Sequence, residues 1–140
     1  MLVRMLYLSR PVGPQTTTMT SSILASAQGF NAKNGITGVL CQGQGFFIQA
    51  LEGERSIVNQ LYHRIVLDQR HKDLELMLMD DIEDRRFGRW SMAHVMLSDR
   101  DLRVQLQHPD FDPYATTGQF LLARLDELMA SGHPIKTVVA

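Results

Sequence analysis

The chain is poor in residues that announce a chemistry by themselves. Cys41 is the only cysteine among 140 residues, which excludes an intrachain disulfide and any metal cluster built from cysteines. The five histidines (His63, His71, His94, His108 and His133) show neither an HExxH motif nor the four-residue spacing of a helical zinc site, so no metal centre is expected. There is no P-loop, no GxGxxG turn, no GxSxG elbow and no cysteine–histidine signature of a nucleophilic enzyme. Neither sign of charge is in excess. A net charge of −1 leaves no electrostatic footprint for nucleic acid or an anionic membrane. No apolar run is long enough to span a bilayer, and the N-terminus lacks a signal-peptide layout, which predicts a cytoplasmic protein with no membrane partner. What remains is ordinary for a globular chain, with 44% hydrophobic and 21% charged residues. A chain of this size is most simply one domain, able to bury about 68–70% of its unfolded surface.

Leu2 to Ser9 alternates as a strand, with Val3, Met5, Tyr7 and Ser9 on one face and Leu2, Arg4, Leu6 and Leu8 on the other. Pro11, Gly13 and Pro14 end it. Thr16 to Thr18 offer cap hydroxyls for a helix to about Lys33, whose apolar side carries Met19, Ile23, Ala27 and Phe30. Asn34-Gly35 stops that helix with a residue that tolerates positive φ. Ile36–Gln42 and Phe46–Glu52 read as strands joined through Gly43-Gln44-Gly45. A second helix carries Ile57, Val58, Leu61, Tyr62 and Ile65 on one stripe. Asp68 to Asp73 reads as a charged connection, followed by strands at Leu74–Met79 and Trp90–Leu97. The order is an α+β, ferredoxin-like βαββαββ pattern with an extra strand. A helix start at Ser98-Asp99-Arg100-Asp101, closed by His108-Pro109, and a second tail helix over Thr116–Ser131 complete the chain. The first strand and Phe46–Leu51 are apolar on both faces, so the sheet must be covered on both. The two early helices serve one face and the C-terminal helical extension the other. The expected division is a first unit over residues 1–97, with residues 98–140 packed on it.

One residue breaks the apolar pattern. Gln49 sits inside Phe46-Phe47-Ile48-Gln49-Ala50-Leu51. Its amide has four hydrogen-bonding capacities, and leaving them unmet in a core costs about 1–3 kcal/mol. Protein groups or a ligand must satisfy it. Tyr7 and Ser9 share one face of the first strand, while Met92 shares a face with Trp90, His94 and Met96. If these faces coincide, a tyrosine, a glutamine, a tryptophan and a methionine line one pocket. Taken singly each has an ordinary packing role. Asn31 near the end of the first helix, and Arg64, Asp68, Arg70 and His71 around the end of the second, add a polar set. Arg64 and Asp68 alone could be an exposed pair worth a few tenths of a kcal/mol. Cys41, in an apolar strand, reads as a small core residue rather than a reactive thiol.

These pieces resemble the BLUF domains, blue-light sensors that use FAD. The match runs through Leu6-Tyr7-Leu8-Ser9-Arg10, then Asn31 with Asn34-Gly35-Ile36-Thr37-Gly38-Val39-Leu40. It continues through Phe47-Ile48-Gln49-Ala50-Leu51-Glu52-Gly53, Leu67-Asp68-Gln69-Arg70-His71, and Arg86-Phe87 with Trp90-Ser91-Met92. Each piece is weak alone; the ordered set, over about residues 2–97, is specific. The resemblance implies a non-covalent FAD between the two early helices. Ile23 and Ile65 match the residues that sandwich its ring. Asn31 and Arg70 match contacts to its polar edge, and Arg64, Asp68 and His71 fall where the rest of the cofactor is held. Tyr7 and Gln49 match the photoactive pair, with Ser9, Trp90 and Met92 beside them. Phe30 departs from some relatives, which carry a polar residue there. The implied function is a blue-light photoreceptor, not an enzyme. Light-driven electron and proton transfer between FAD and Tyr7 would rearrange the hydrogen bonds of Gln49. With no effector domain expected after residue 98, output would run through an unidentified protein partner or a homo-oligomer. An acylphosphatase-like hydrolase on the same layout would need a phosphate-cradling first loop, and Pro11 and Pro14 remove backbone donors there. A cofactor-free interaction module is the other rival, and colour separates it from a flavoprotein.

Overall fold

A computed structural model describes residues 1–14, 26–27, 29–43, 45–89, 92–96, 112–130 and 134–136. The strands β1 (Leu2–Pro11), β2 (Thr37–Gly43), β3 (Phe46–Glu54), β4 (His71–Asp81), β5 (Ala93–Met96) and β6 (Pro134–Lys136) form one sheet. Their spatial order is β4-β1-β3-β2-β5-β6. β1 runs antiparallel to β3 and β4, β2 antiparallel to β3 and parallel to β5, and β6 antiparallel to β5. The first four form the ferredoxin-like sheet that the sequence predicts.

Strand alternation decides the layers. Val3, Met5, Tyr7, Leu40, Phe47, Leu51 and Met92 face one core. Helical residues 26–27 and 29–34 (α1) and helix α2 (Arg55–Leu67) cover it, through Ala27, Phe30, Val58, Leu61 and Ile65. Leu6, Leu8, Val39, Ile48, Ala50 and Val95 face a second core. Helix α3 (Gly118–Ala130) covers that one, through Leu121, Leu122, Leu125 and Leu128. The tail helix therefore occupies the face that the two-sided apolar strands require to be covered. It begins after Thr117, whose hydroxyl accepts from Phe120 N at 3.1 Å as a cap. Gly35, at φ +67°, makes the turn out of α1.

One expectation needs correction, and one strand is added. The charged stretch Asp68–Asp73 is not a connection throughout, because β4 already begins at His71 and continues to Asp81. β4 is an edge strand, and its outward charges are those a sheet edge carries against unwanted pairing. The last strand of the expected set is described only over Ala93–Met96, and Trp90, Ser91 and Leu97 lie outside the described residues. β6 is an addition that a three-residue segment cannot signal by periodicity. The expected helix starts at Thr16–Thr18 and Ser98–Asp101 also lie outside the described residues, as do Met19 and Ile23.

Candidate functional site

Tyr7 and Gln49 stand directly across from each other in the β1–β3 register, and Leu40 of β2 stands across from Gln49 on its other side. That rung puts the amide against the phenol. Tyr7 Oη donates to Gln49 Oε1 at 2.5 Å, and Gln49 Nε2 donates to Met92 Sδ at 3.4 Å. The orientation follows from the partners. A protonated phenol needs an acceptor, and a thioether offers only a lone pair, so the carbonyl end faces Tyr7 and the NH₂ end faces Met92. Tyr7, Gln49 and Met92 are all buried. Burial, and secondarily the Asp68 carboxylate, pushes the Tyr7 hydroxyl well above the ordinary tyrosine range, while Arg70 acts in the opposite sense. Tyr7 therefore remains a donor across the physiological range.

This chain of bonds borders a cavity of about 200 Å³ between α1, α2 and the sheet. Tyr7, Asn31, Gln49, Arg64, Ile65, Asp68, Arg70 and His71 all line it. Its apolar walls include Ala27, Phe30, Leu40, Phe47, Leu51 and Leu61. The structure thus brings together every expected site residue it describes, with Ser9 and Met92 one contact behind the lining. Ile23 and Trp90 lie outside the described residues.

The polar residues at the end of α2 are held in specific ways. Asp68 does not pair with Arg64. Its carboxylate receives Arg70 Nε at 3.0 Å, Arg70 Nη2 at 2.6 Å and the Arg70 backbone N at 2.9 Å. Arg70, beside it, holds the Asp68 carboxyl below its usual range. The Arg64 guanidinium lies 4.7 Å over the Phe30 ring, a cation–π contact joining α2 to α1. His71 is half-buried, with Nε2 at 2.7 Å from Ile65 O and Nδ1 at 2.8 Å from Ser9 Oγ. A carbonyl can only accept, so Nε2 donates to Ile65 O, while Nδ1 and the Ser9 hydroxyl share the other bond. Ser9 thus serves His71 and not Gln49. The His71 ring meets Tyr7 edge-on at 6.0 Å between centroids.

Sequence reasoning did not assign Ser26, Leu40 or Leu61 to the site. Leu40 was findable in principle, since pairing the hairpin through Gly43-Gln44-Gly45 sets it opposite Gln49. The apolar walls and the convergent polar edge suit a planar ligand such as a flavin ring, which is apolar across its faces and polar at its rim. Asn31, Gln49 and Arg70 are among the cavity's polar lining residues, and Ile65 and Phe30 among its apolar ones.

A family model described as "BLUF: Sensors of blue-light using FAD" matches residues 2–93. Photoactivated adenylate cyclase subunit alpha of Euglena gracilis is 36% identical over 87 residues, which are 62% of this chain and 8% of that protein. The subunit beta of Euglena longa is 33% identical over 93 residues, 66% of this chain and 11% of that protein. The chain therefore spans about a tenth of the length of the curated relatives it matches. Among solved structures, the ground state of BlsA superposes with a TM-score of 0.82 at 32% identity, covering 92% of this chain and 88% of that one. The dark state of BlrB, a BLUF protein, gives 0.77 at 30% identity, covering 94% and 96%.

Proposed function

The chain belongs to the BLUF family, sensors of blue light that use FAD, and from that premise we propose that Tyr7, Gln49 and Met92 form its switch. The carrying observation is the continuous run of bonds from Tyr7 Oη and the Gln49 amide, both at the cavity wall, to Met92 Sδ behind it. Asn31, Arg64, Ile65, Asp68, Arg70 and His71, all at the cavity, would hold FAD there, and by the family resemblance Ile23 would add an apolar contact to it. When bound, FAD supplies absorption of blue light and an acceptor for an electron and a proton.

Tyr7 is the oxidisable donor, and its buried hydroxyl keeps the proton in place until light acts. Gln49 converts that event into a change of bonding. Turning the amide over, or tautomerising it, replaces the acceptor facing Tyr7 with a donor. Rotation also sets Oε1 against Met92 Sδ, two acceptors face to face, so the Met92 contact is lost. Each neutral bond is worth only about 0.5–1.5 kcal/mol net. A near-complete switch between two states needs about 5.5 kcal/mol. The photon therefore populates a metastable state that relaxes thermally, and Trp90 and Met92 carry the change onward.

Residues 1–97 are the photosensory domain and residues 98–140 a C-terminal extension whose helix α3 packs against the sheet. The chain turns over no substrate. Cyclase activity belongs to the named relatives, of which the match covers 8% to 11%, and does not transfer. Output passes to an unidentified protein partner or through association of copies, in the cytoplasm. No helix among the described residues is long and apolar enough to cross a membrane.

The test is spectroscopic. Purified protein supplied with FAD is expected to be yellow and to shift slightly and reversibly to the red under blue light. Gln49→Leu is expected to keep the flavin and lose the shift. A protein that cannot take up FAD, or a Gln49→Leu variant that still shifts, contradicts the reading.

A further inference from the structure

Glu52 is fully buried, and nothing in the Tyr7–Gln49–Met92 run uses it. It lies three positions beyond Gln49 on β3, which by the two-residue strand period turns it to the α3 side of the sheet. There it stands across from Arg4 on β1 and Thr37 on β2. Its carboxylate accepts from Arg4 Nε at 2.9 Å and Thr37 Oγ1 at 3.2 Å. It also accepts from two backbone amides, Arg86 N at 2.7 Å and Phe87 N at 2.8 Å. Arg85 reinforces the cluster, donating to Thr37 Oγ1 at 3.0 Å and to the Glu52 carbonyl at 3.2 Å.

Stability alone is a weak reason for such a cluster, because apolar residues often replace a buried ion pair at no net loss. What the cluster holds suggests a better one. Phe87 is buried in the core it shares with Leu121 and Leu125 of α3. Met92, five positions on, is buried in the opposite core, against Gln49. Side chains on the two faces of a sheet do not meet, so a change at Gln49 cannot reach α3 by direct contact. The segment from Phe87 to Met92 is a covalent route between the faces, and Glu52 fastens its first residue. The Arg86 guanidinium, from the same fastened pair, reaches Asp126 on α3.

Resting on the sensor reading above, we propose that Glu52 is a positioning residue for signal output. It clamps Arg86 and Phe87 to β3, so that displacement of Met92 is delivered to α3 instead of being absorbed in slack backbone. The clamp stands on the same strand as Gln49, so the amide and the anchor share one rigid frame.

The test compares wild type with Glu52→Gln, both loaded with FAD, in the dark and under blue light. Absorption reports the switch, and amide hydrogen exchange over residues 118–130 reports α3. Wild type is expected to show the reversible red shift together with a light-dependent change in α3 exchange. Glu52→Gln is expected to keep the red shift and lose the exchange difference. A merely structural role would lower the melting temperature and leave that difference intact. Glu52→Gln leaves the Arg4 charge buried beside a neutral partner and could fail to fold, so Phe87→Leu, which shortens the lever without touching the clamp, carries the same expectation. Persistence of the light-dependent α3 change in the folded variants overturns the proposal, as does a wild type that shifts without any α3 change. A wild type with no red shift overturns the sensor reading itself.

Discussion

Gln49 meets Tyr7 because two strands pair in one particular register, and it meets Met92 because β5 joins the sheet beyond β2. The amide's two ends are chemically different, and its neighbours are too, which makes the arrangement directional. Also in the cavity lining, Asp68 offers a prediction in pH. Arg70 holds its folded-state pKa below the ordinary carboxylate value. A depressed carboxylate contributes stability that is fully present above the unfolded pKa of about 3.9 and is lost as pH falls through the folded value. Asp68→Asn should therefore flatten the fall of stability below about pH 4, by a modest amount because the pair is partly exposed and screened. Urea unfolding across that range measures it, and an unchanged acid limb would contradict the assignment. Tyr7 and Gln49 were legible as polar residues in apolar strands, and Asn31 through the family resemblance. Their partners were not, since alternation names a face and not a neighbour.

Among the elements, α3 depends on a close approach. A Cβ on Gly118 would lie 2.3 Å from Met77 O and 2.9 Å from Leu78 Cβ, so the first turn of α3 rests on the backbone of β4. Backbone cannot swing aside as a side chain does. Gly118→Ala should lift the helix from the sheet at a cost of about 1–3 kcal/mol. For a chain of this size that is roughly 2–4 °C of melting temperature per kcal/mol. Calorimetry reads the shift, and unchanged melting would mean that α3 does not sit on β4 in this way. The tail helix itself was legible from its 3.6-residue stripe. Its seat on β4 was not, because a glycine at a helix start carries no signal of the backbone it rests on. The misjudged start of β4 has a related cause: an edge strand carries charges, and a run of charges resembles a connection.

For the molecule as a whole, the sheet has two cores and the tail supplies one wall of the second. Ending the chain after Leu97 should expose Leu6, Leu8, Val39, Ile48 and Ala50 as one apolar face, larger than a soluble monomer tolerates. The shortened chain is expected to aggregate or to bind a hydrophobic dye strongly. Size-exclusion chromatography with light scattering decides it, and a monodisperse product with native stability would show the tail to be dispensable for folding. The same measurement on the full chain, in dark and light, tests whether output runs through association of copies.

The sequence by itself determined the ferredoxin-like order of elements, the two-sided burial of the sheet, the family and most of the cavity's polar residues. These rest on local period, on turn residues and on an ordered set of short motifs, all written along the chain. Only the tertiary structure decided that Met92 borders Gln49, that Asp68 is spent on Arg70, and that Ser9 answers to His71. It alone brought Glu52 together with Arg4 and the backbone of Arg86 and Phe87, up to 48 positions away. The physical reason is common to all of them. A strand's alternation fixes which way a side chain points, but its partners are set by the register and neighbours that long-range pairing selects.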